Sequence, residues 1–241
     1  MADRGAVASA TAPLRRQRLA LFDLDNTLID RDAAFRRWAG EYVLSRGGGD
    51  HDVDWLVGLD ASGFRPREVV FAALRERFGD DEPLEARWKR YNARMAELVT
   101  IRPAVLDALD RMRAEGWRLG IVTNGVARGQ LAKVAAVGLL DHIDTCVVSG
   151  EEGVHKPDVR LFEIAAQRCG MSLVDGGWMT GDSRYADILG GARAGLHTIW
   201  IGGVDRSAAL AGVASPPDEV RPHHVVDDVL AAFEILGKVG A

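Results

Sequence analysis

Five short apolar runs punctuate this chain, and each closes on Gly or Asp. They are RLALFD (Arg18–Asp23), RLGIVTNG (Arg118–Gly125), TCVVSG (Thr145–Gly150), GGWMTGD (Gly176–Asp182) and HTIWIGG (His197–Gly203). A weaker sixth, HHVVDD, spans His223–Asp228. Near-continuous apolar runs bounded by turn formers mark strands buried on both faces, as in parallel sheets. Apolar residues at helical spacing fill most of the intervals: Ala104–Glu115, with Gly116 placed to end it, then Gln130–Val137, Arg160–Cys169 and Tyr185–Ala194. Strands alternating with helices define an α/β protein built on a doubly wound parallel sheet.

One interval breaks this rhythm. Residues 31–99 hold no buried-strand run, only three helical patterns: AAFRRWAGEYVLSR, REVVFAALRERFG and LEARWKRYNARMAELV. The breaks between them are GGGDHD and DASGFRPRE. A parallel crossover requires only about a dozen residues, so the interval is an insertion, an all-helical subdomain sitting over the end of the first strand. The expected organisation is a flexible N-terminal tail (1–17), an α/β core (18–30 and 100–241) and a helical cap (31–99).

Ligands of open parallel sheets bind beyond the carboxyl ends of the strands, where the strand order reverses. The residues at those ends are Asp23 and Asp25, then Thr123, Asn124 and Gly125, then Ser149 and Gly150, then Gly181, Asp182 and Ser183. Taken singly they are unremarkable in chemistry: Asp-Asn-Thr is also a turn or a helix cap, and a lone Thr-Asn-Gly is usually a turn. Their joint occurrence at successive strand ends points to a reaction centre. Residues i and i+2 of an extended strand share a side, so Asp23 and Asp25 can face one cleft, with Asp182 a third charge and Asp187 a fourth. Carboxylates that close repel one another and call for a cation. Oxygen donors suit Mg²⁺, which keeps several waters and takes one or two carboxylates together with a substrate phosphate, and no His/Cys cluster has zinc spacing. A phosphate would find donors in Thr123, Asn124 and Gly125 just before a helix, whose N-terminus favours anions. Lys156, in HKPD, would add a point charge.

In this order, these motifs resemble those of the haloacid dehalogenase (HAD) superfamily, in its phosphatase branch with a helical cap. DLDNT (Asp23–Thr27) matches the DxDxT signature, Thr123 the second motif, Lys156 the third and GDSRYAD (Gly181–Asp187) the acidic fourth. The resemblance runs over nearly the whole chain from Arg18. It implies a Rossmann-like core and an aspartyl-phosphate intermediate on Asp23. Asp25 is then the general acid and afterwards the base, Thr123 binds phosphoryl oxygens, and Lys156 neutralises charge on nucleophile and phosphate. The same resemblance implies Mg²⁺ held by Asp23, Asp182 and the backbone carbonyl of Asp25, with Asp187 supporting the metal site. Dehalogenases of the superfamily work without the second acid because halide leaves unprotonated, so Asp25 argues for phosphate.

The expected function is Mg²⁺-dependent hydrolysis of small phosphorylated metabolites. The alternatives are a phosphotransferase or phosphomutase of the same fold and, further off, a 2-haloacid dehalogenase or a non-catalytic binding module. The last would be expected to have lost one of Asp23, Asp25, Lys156 or Asp182, and all four are present. Specificity should reside in the cap, among Trp38, Tyr42, Phe64, Arg65, Trp88, Tyr91 and Arg94. Most of these are expected to be cap core or solvated surface, with Phe64 and Arg65 the pair to face the cleft. Trp117, Trp178 and Trp200 are assigned to core packing, and His155 to a place beside Lys156 without a need to touch substrate.

The rest of the composition narrows the partners. A net charge of -5 is unsuited to nonspecific nucleic-acid binding, and the basic stretch RRQR (Arg15–Arg18) is expected to be a solvated edge. No stretch approaches the ~20 apolar residues of a membrane span. Cys146 and Cys169 make no disulfide framework, which together with the absence of a signal-like segment leads to an expected cytoplasmic enzyme, monomeric or homodimeric.

Overall fold

The computed structural model describes residues 17–203 and 220–240. Its centre is a six-stranded sheet in the order β3-β2-β1-β4-β5-β6, with every neighbouring pair parallel. The strands are β1 (Leu19–Phe22), β2 (Arg118–Thr123), β3 (Thr145–Val148), β4 (Trp178–Gly181), β5 (His197–Ile201) and β6 (His224–Val226). All six fall within the six apolar runs. The order reverses between β1 and β4, so the ends of these two strands flank the topological switch point.

Burial on both faces explains the unbroken apolar character of β1. Leu19 and Leu21 pack with Leu161 and Phe162 of α8 (Val159–Arg168) on one face. Ala20 and Phe22 turn to the other face, which is covered by α5 (Pro103–Ala114) and α10 (Val229–Gly240). There the rings of Phe22 and Phe233 lie 5.4 Å apart.

The insertion between β1 and β2 is helical: α1 (Arg31–Ser45), α2 (Asp50–Asp60), α3 (Arg67–Phe78) and α4 (Leu84–Leu98). Its two connections to the core touch, the Asp30 N–H donating to the Thr100 carbonyl at 3.2 Å. Trp38, Tyr42 and Tyr91 belong to the cap core: Trp38 stacks on Tyr42 and meets Tyr91 edge-on, with ring centroids 4.9 Å apart in the second pair. Arg94 is spent in ion pairs with Glu41 and Glu97. The cap also rests directly on the core, where α4 lies along α6 (Ala127–Ala136). A side chain at Gly129 would come within 3.0 Å of Asn92 Oδ1.

Three features depart from the sequence expectations. Helix α2 starts inside GGGDHD, taken above as a break: the Asp52 carboxylate accepts the Gly49 N–H at 3.0 Å and closes the first turn. Leu56 is the one apolar residue buried outright in α2, so the helix carries little periodic signal. Second, Tyr185–Ala194 is not a plain helix but a π-helical turn (Arg184–Leu189) running into a short α9 (Gly190–Arg193). Such widened turns accompany functional sites, and here the Asp187 carboxylate reaches back to accept the Ser183 N–H at 2.9 Å. Third, Gln17, placed above in the tail, is anchored to the core, its amide donating to Ser172 O and Gly176 O at 2.8 and 2.9 Å. The rest of that tail, with Arg15 and Arg16, lies outside the described residues.

Cap folding depends on a buried charge cluster. Asp60, at the end of α2, receives both terminal nitrogens of Arg31 and the Arg67 guanidinium at 2.7 Å, together with the Gly63 N–H at 2.9 Å. Burial opposes ionisation of Asp60, but the two guanidiniums outweigh it and hold its carboxyl below the ordinary range. Asp60→Asn should therefore cost about 3–5 kcal/mol, since it strands buried guanidinium charge, read from the midpoint of urea unfolding. A carboxyl whose folded pKa is depressed stabilises above its unfolded value near 4 and loses that contribution as pH falls through the folded value. The difference between wild type and Asp60→Asn should accordingly be full at neutral pH and shrink below pH ~4.

Candidate active site

β1 ends in a tight knot. The Leu24 carbonyl accepts N–H groups from Thr27, Leu28 and Ile29, and Asn26 adopts a left-handed φ of 58°, a conformation that Asn tolerates. Leu24 points into the core while Asp23 and Asp25, its neighbours, line the same cavity of about 370 Å³. The i, i+2 expectation thus holds through the end of the strand.

Around this cavity the strand ends converge. Lys156 Nζ is buried and donates to Asp23 Oδ1 at 2.7 Å, to Asp187 Oδ1 at 2.6 Å and to the Val122 carbonyl at 2.6 Å. Burial alone would lower its pKa, but Asp187 and Asp23 outweigh burial and raise it, so it is an ammonium. Asp23 shows the opposite balance. Desolvation pushes its carboxyl up to about 7, against the pull of Lys156 and with the help of Asp187 and Asp25. One cation thus does not fully neutralise the group of acids.

Carboxylate oxygens of Asp23, Asp182 and Asp187 lie within 4.8 Å of one another. Three hard oxygen donors with one ammonium among them leave uncompensated negative charge. The set fits a hard divalent cation and offers no soft or imidazole ligand. The position of Asp187 also restricts β4, because any side chain at Gly181 would collide with its carboxylate. Asp182 is steadied through its backbone carbonyl, which accepts the Trp200 indole N–H at 2.9 Å. Trp200, assigned above to packing, is therefore also a donor to this loop.

The Thr123–Gly125 segment divides its tasks. Thr123 is buried and lines the cavity, and its hydroxyl accepts from Gln130 Nε2 at 2.7 Å. The Asn124 amide is committed to the backbone of Lys156, accepting its N–H at 2.9 Å and donating to its carbonyl at 3.1 Å. It places the lysine rather than presenting a free amide to a ligand. Gly125 departs further from the expected phosphate loop: its N–H donates to Ser149 Oγ at 3.0 Å, and it lines the adjoining cavity rather than the one that holds Asp23.

Two residues that the sequence reading did not pick for the site hold Asp25. Lys133 Nζ lies 2.6 Å from both carboxylate oxygens, and Gln130 Nε2 donates to one of them at 3.1 Å. Gln130 and Lys133 are three residues apart on α6, one turn after Thr-Asn-Gly, so they occupy one helix face. Two polar residues at that spacing on a helix that must cover the sheet were the available signal. Burial would raise the Asp25 pKa, but Lys133, helped by Arg31 and then by Gln130, holds it below the ordinary carboxylate range. The Asp25 carboxylate stands outside the Asp23–Asp182–Asp187 cluster.

A second cavity, of about 250 Å³, adjoins the first and lies between cap and core. Asp25, Arg31, Gly63, Phe64 and Asn124 line both. Phe64 and Arg65 both face this cleft, as does Trp88.

The haloacid dehalogenase-like hydrolase family model matches residues 20–201. The chain belongs to this family. It is 29% identical to N-acylneuraminate-9-phosphatase of Rattus norvegicus, over 94% of this chain and 96% of the relative. To the pyrimidine 5'-nucleotidase PynA of Streptococcus pneumoniae it is 28% identical, over 75% of this chain and 81% of the relative. A higher identity, 37%, to the pyrimidine 5'-nucleotidase YjjG of Escherichia coli spans only 44% of this chain and 47% of that protein. Among solved structures, the HAD-hydrolase YfnB of Bacillus subtilis, bound to magnesium, superposes with a TM-score of 0.67 at 24% identity, covering 92% of this chain and 99% of its own. That likeness concerns the fold. Among the described residues no helix is long and apolar enough to cross a membrane.

The clamp on Asp25 makes a direct prediction. Replacing Lys133 by Met removes the largest opposing charge and lets desolvation dominate. The Asp25 carboxyl pKa should then move from below to above its ordinary value of 3.8, followed by ¹³C NMR titration of the labelled side-chain carboxyl.

Proposed function

We propose that this protein is a Mg²⁺-dependent phosphatase of small phosphomonoesters that works through an aspartyl-phosphate on Asp23. The observation that carries the reading is the setting of Asp23. This carboxylate shares an acid cluster with Asp182 and Asp187, is paired with Lys156, and opens beside Asp25 onto a cavity that also contains Thr123. Asp23, Asp182 and the backbone of Asp25 would hold the metal, with Asp187 behind it. When bound, Mg²⁺ supplies positive charge against the ester dianion and the acids.

Asp23 must be ionised to attack; Lys156 already offsets part of the burial that leaves its pKa at about 7, and the metal charge would lower it further. In the first step an Asp23 oxygen forms a bond to phosphorus while the bond from phosphorus to the leaving oxygen breaks. Lys156 stabilises the charge as it moves, and the Thr123 hydroxyl positions a phosphoryl oxygen. The leaving alkoxide takes a proton from Asp25. In the second step the Asp25 carboxylate removes a proton from water, the water oxygen bonds to phosphorus, and the bond to Asp23 breaks. Phosphate and the free Asp23 carboxylate result.

The clamp by Lys133 favours the carboxylate form of Asp25, which is the form the second step uses. The first step needs the protonated form and is the step that depends on the leaving group. Gly125 is dropped from the phosphate-binding set because its N–H serves Ser149, while Asn124 acts through the Lys156 backbone. The cap closes one side of the cleft, which favours small esters over phosphoproteins. Relatives named as N-acylneuraminate-9-phosphatase, pyrimidine 5'-nucleotidase, phosphoserine phosphatase and glyceraldehyde 3-phosphate phosphatase support a phosphomonoesterase whose leaving group differs from member to member.

Three outcomes test this. Phosphate release should vanish on thorough chelation and return with Mg²⁺, and activity that survives chelation would refute the metal site. Asp23→Asn should form no phosphoenzyme with any ester. Asp25→Asn should lose about 10²–10⁴-fold with alkyl phosphates, but with an activated aryl or acyl phosphate it should give a burst of leaving group and trap label on Asp23. Equal impairment of the burst with good and poor leaving groups would overturn the assignment of Asp25.

A further inference from the structure

The wall of the cavity between cap and core carries four cations, and three of them are already matched to acids. Arg31 and Arg67 share the buried Asp60, with Arg67 at 2.7 Å. Lys133 is bound to Asp25 at 2.6 Å. The fourth, Arg65, has no carboxylate partner among the described residues. Its Nε donates to the Leu59 carbonyl at 3.2 Å, which fixes the stem, and its two terminal nitrogens donate to none of those residues. The Asn92 amide, on α4 of the cap, lines the same cavity and is likewise without a hydrogen-bonding partner among the described residues. Trp88, Tyr91 and Met95 supply the apolar part of the wall.

A half-buried guanidinium with both outer nitrogens unspent is costly unless an anion or water satisfies it. Its planar fork matches a carboxylate in two parallel hydrogen bonds. The direction of the reaction puts that anion on the leaving group. The phosphoryl group lies by Asp23, the leaving oxygen must meet Asp25, and Asp25 is on the border between the two cavities. Arg65 lines the second of these cavities with Asp25. The space there, about 250 Å³, falls below the ~300–1,000 Å³ of pockets for drug-sized ligands, so the group it takes is small.

We propose that Arg65, with Asn92, forms a leaving-group subsite for a carboxylate, so that the substrates are small phosphorylated carboxylic acids. The inference rests on the phosphatase reading only for its orientation, with the phosphate at Asp23. Arg65 acts on binding and orientation and is not a catalytic residue.

The test uses affinities in Asp23→Asn protein with Mg²⁺, so that esters are not consumed, measured by calorimetry. Matched pairs differ in the carboxylate alone: 3-phosphoglycerate against glycerol 3-phosphate, phosphoserine against phosphoethanolamine, phosphoglycolate against 2-hydroxyethyl phosphate. At least one pair should favour the acid on the order of 10- to 100-fold, the range of a charge-assisted pair. In Asp23→Asn/Arg65→Met that ratio should collapse towards one. Asp23→Asn/Arg65→Lys should retain part of it, because charge remains while the fork is lost. Glycerol 1,3-bisphosphate provides the other anion source. If it shows the larger dependence on Arg65, if no acid is preferred, or if the preference survives Arg65→Met, the carboxylate subsite is wrong. Phosphate release by the wild-type protein is followed separately. Absence of release from every ester, with the affinity ratio intact, would refute the phosphatase reading and leave the subsite supported.

Discussion

Lys156 sets its ammonium between Asp23 and Asp187 and against the Val122 carbonyl, all within 2.7 Å. Without that charge two buried carboxylates would stand close together in a low-dielectric setting, a state that costs several kcal/mol. The contact fixes much else. It ties the loop after β3 to the ends of β1 and β2, which is why the Asn124 amide grips the Lys156 backbone on both sides. Asp187 can reach the lysine only by turning back beneath Gly181, and the helix that carries it opens into a π turn to allow this. The site and the local irregularities of the fold share one electrostatic cause.

That cation is shared and not sufficient. Asp23 keeps a raised pKa although Lys156 is 2.7 Å away, because burial and the neighbouring acids oppose ionisation. Asp25, two residues on, has a lowered pKa because Lys133, with Arg31 and Gln130 beside it, outweighs burial. Environments that push two close carboxylates apart in pKa are what a division into nucleophile and proton carrier requires. The same environments explain why the Asp23 side of the pair needs further positive charge.

What could be seen in the sequence follows the range of the interactions. The strands were legible because burial on both faces writes itself locally as apolar runs, and much of the candidate site because the chain places Asp23, Thr123 and Asp182 at or next to strand ends. The helical insertion was legible from its length and from its lack of such runs. Helix α2 was not, since a capping carboxylate and a single buried leucine hold it rather than an apolar stripe. Gln130 and Lys133 were missed for another reason. Their partner Asp25 is 105 and 108 residues away, and a buried lysine looks in sequence like a surface lysine until its acid is known. Asp60 escaped notice in the same way: in DASGFRPRE it reads as a turn residue, yet it gathers two arginines from α1 and α3.

Asp60 also links the stability of the cap to what the cleft can recognise. An insertion with Arg31, Arg65 and Arg67 on one wall would by itself present a strongly cationic surface, attractive to any anion and repulsive within itself. One buried aspartate withdraws two of the three by pairing them where water cannot compete. The discrimination left to the wall then falls on Arg65, held by its Nε at a backbone carbonyl, with a carboxamide and aromatic rings around it. A neutralised background with a single unspent charge is more selective than three unspent charges, because a ligand lacking the matching anion leaves that one guanidinium unpaired. The arrangement makes the cap's internal ion pairs part of its specificity, although Asp60 itself lines neither cavity.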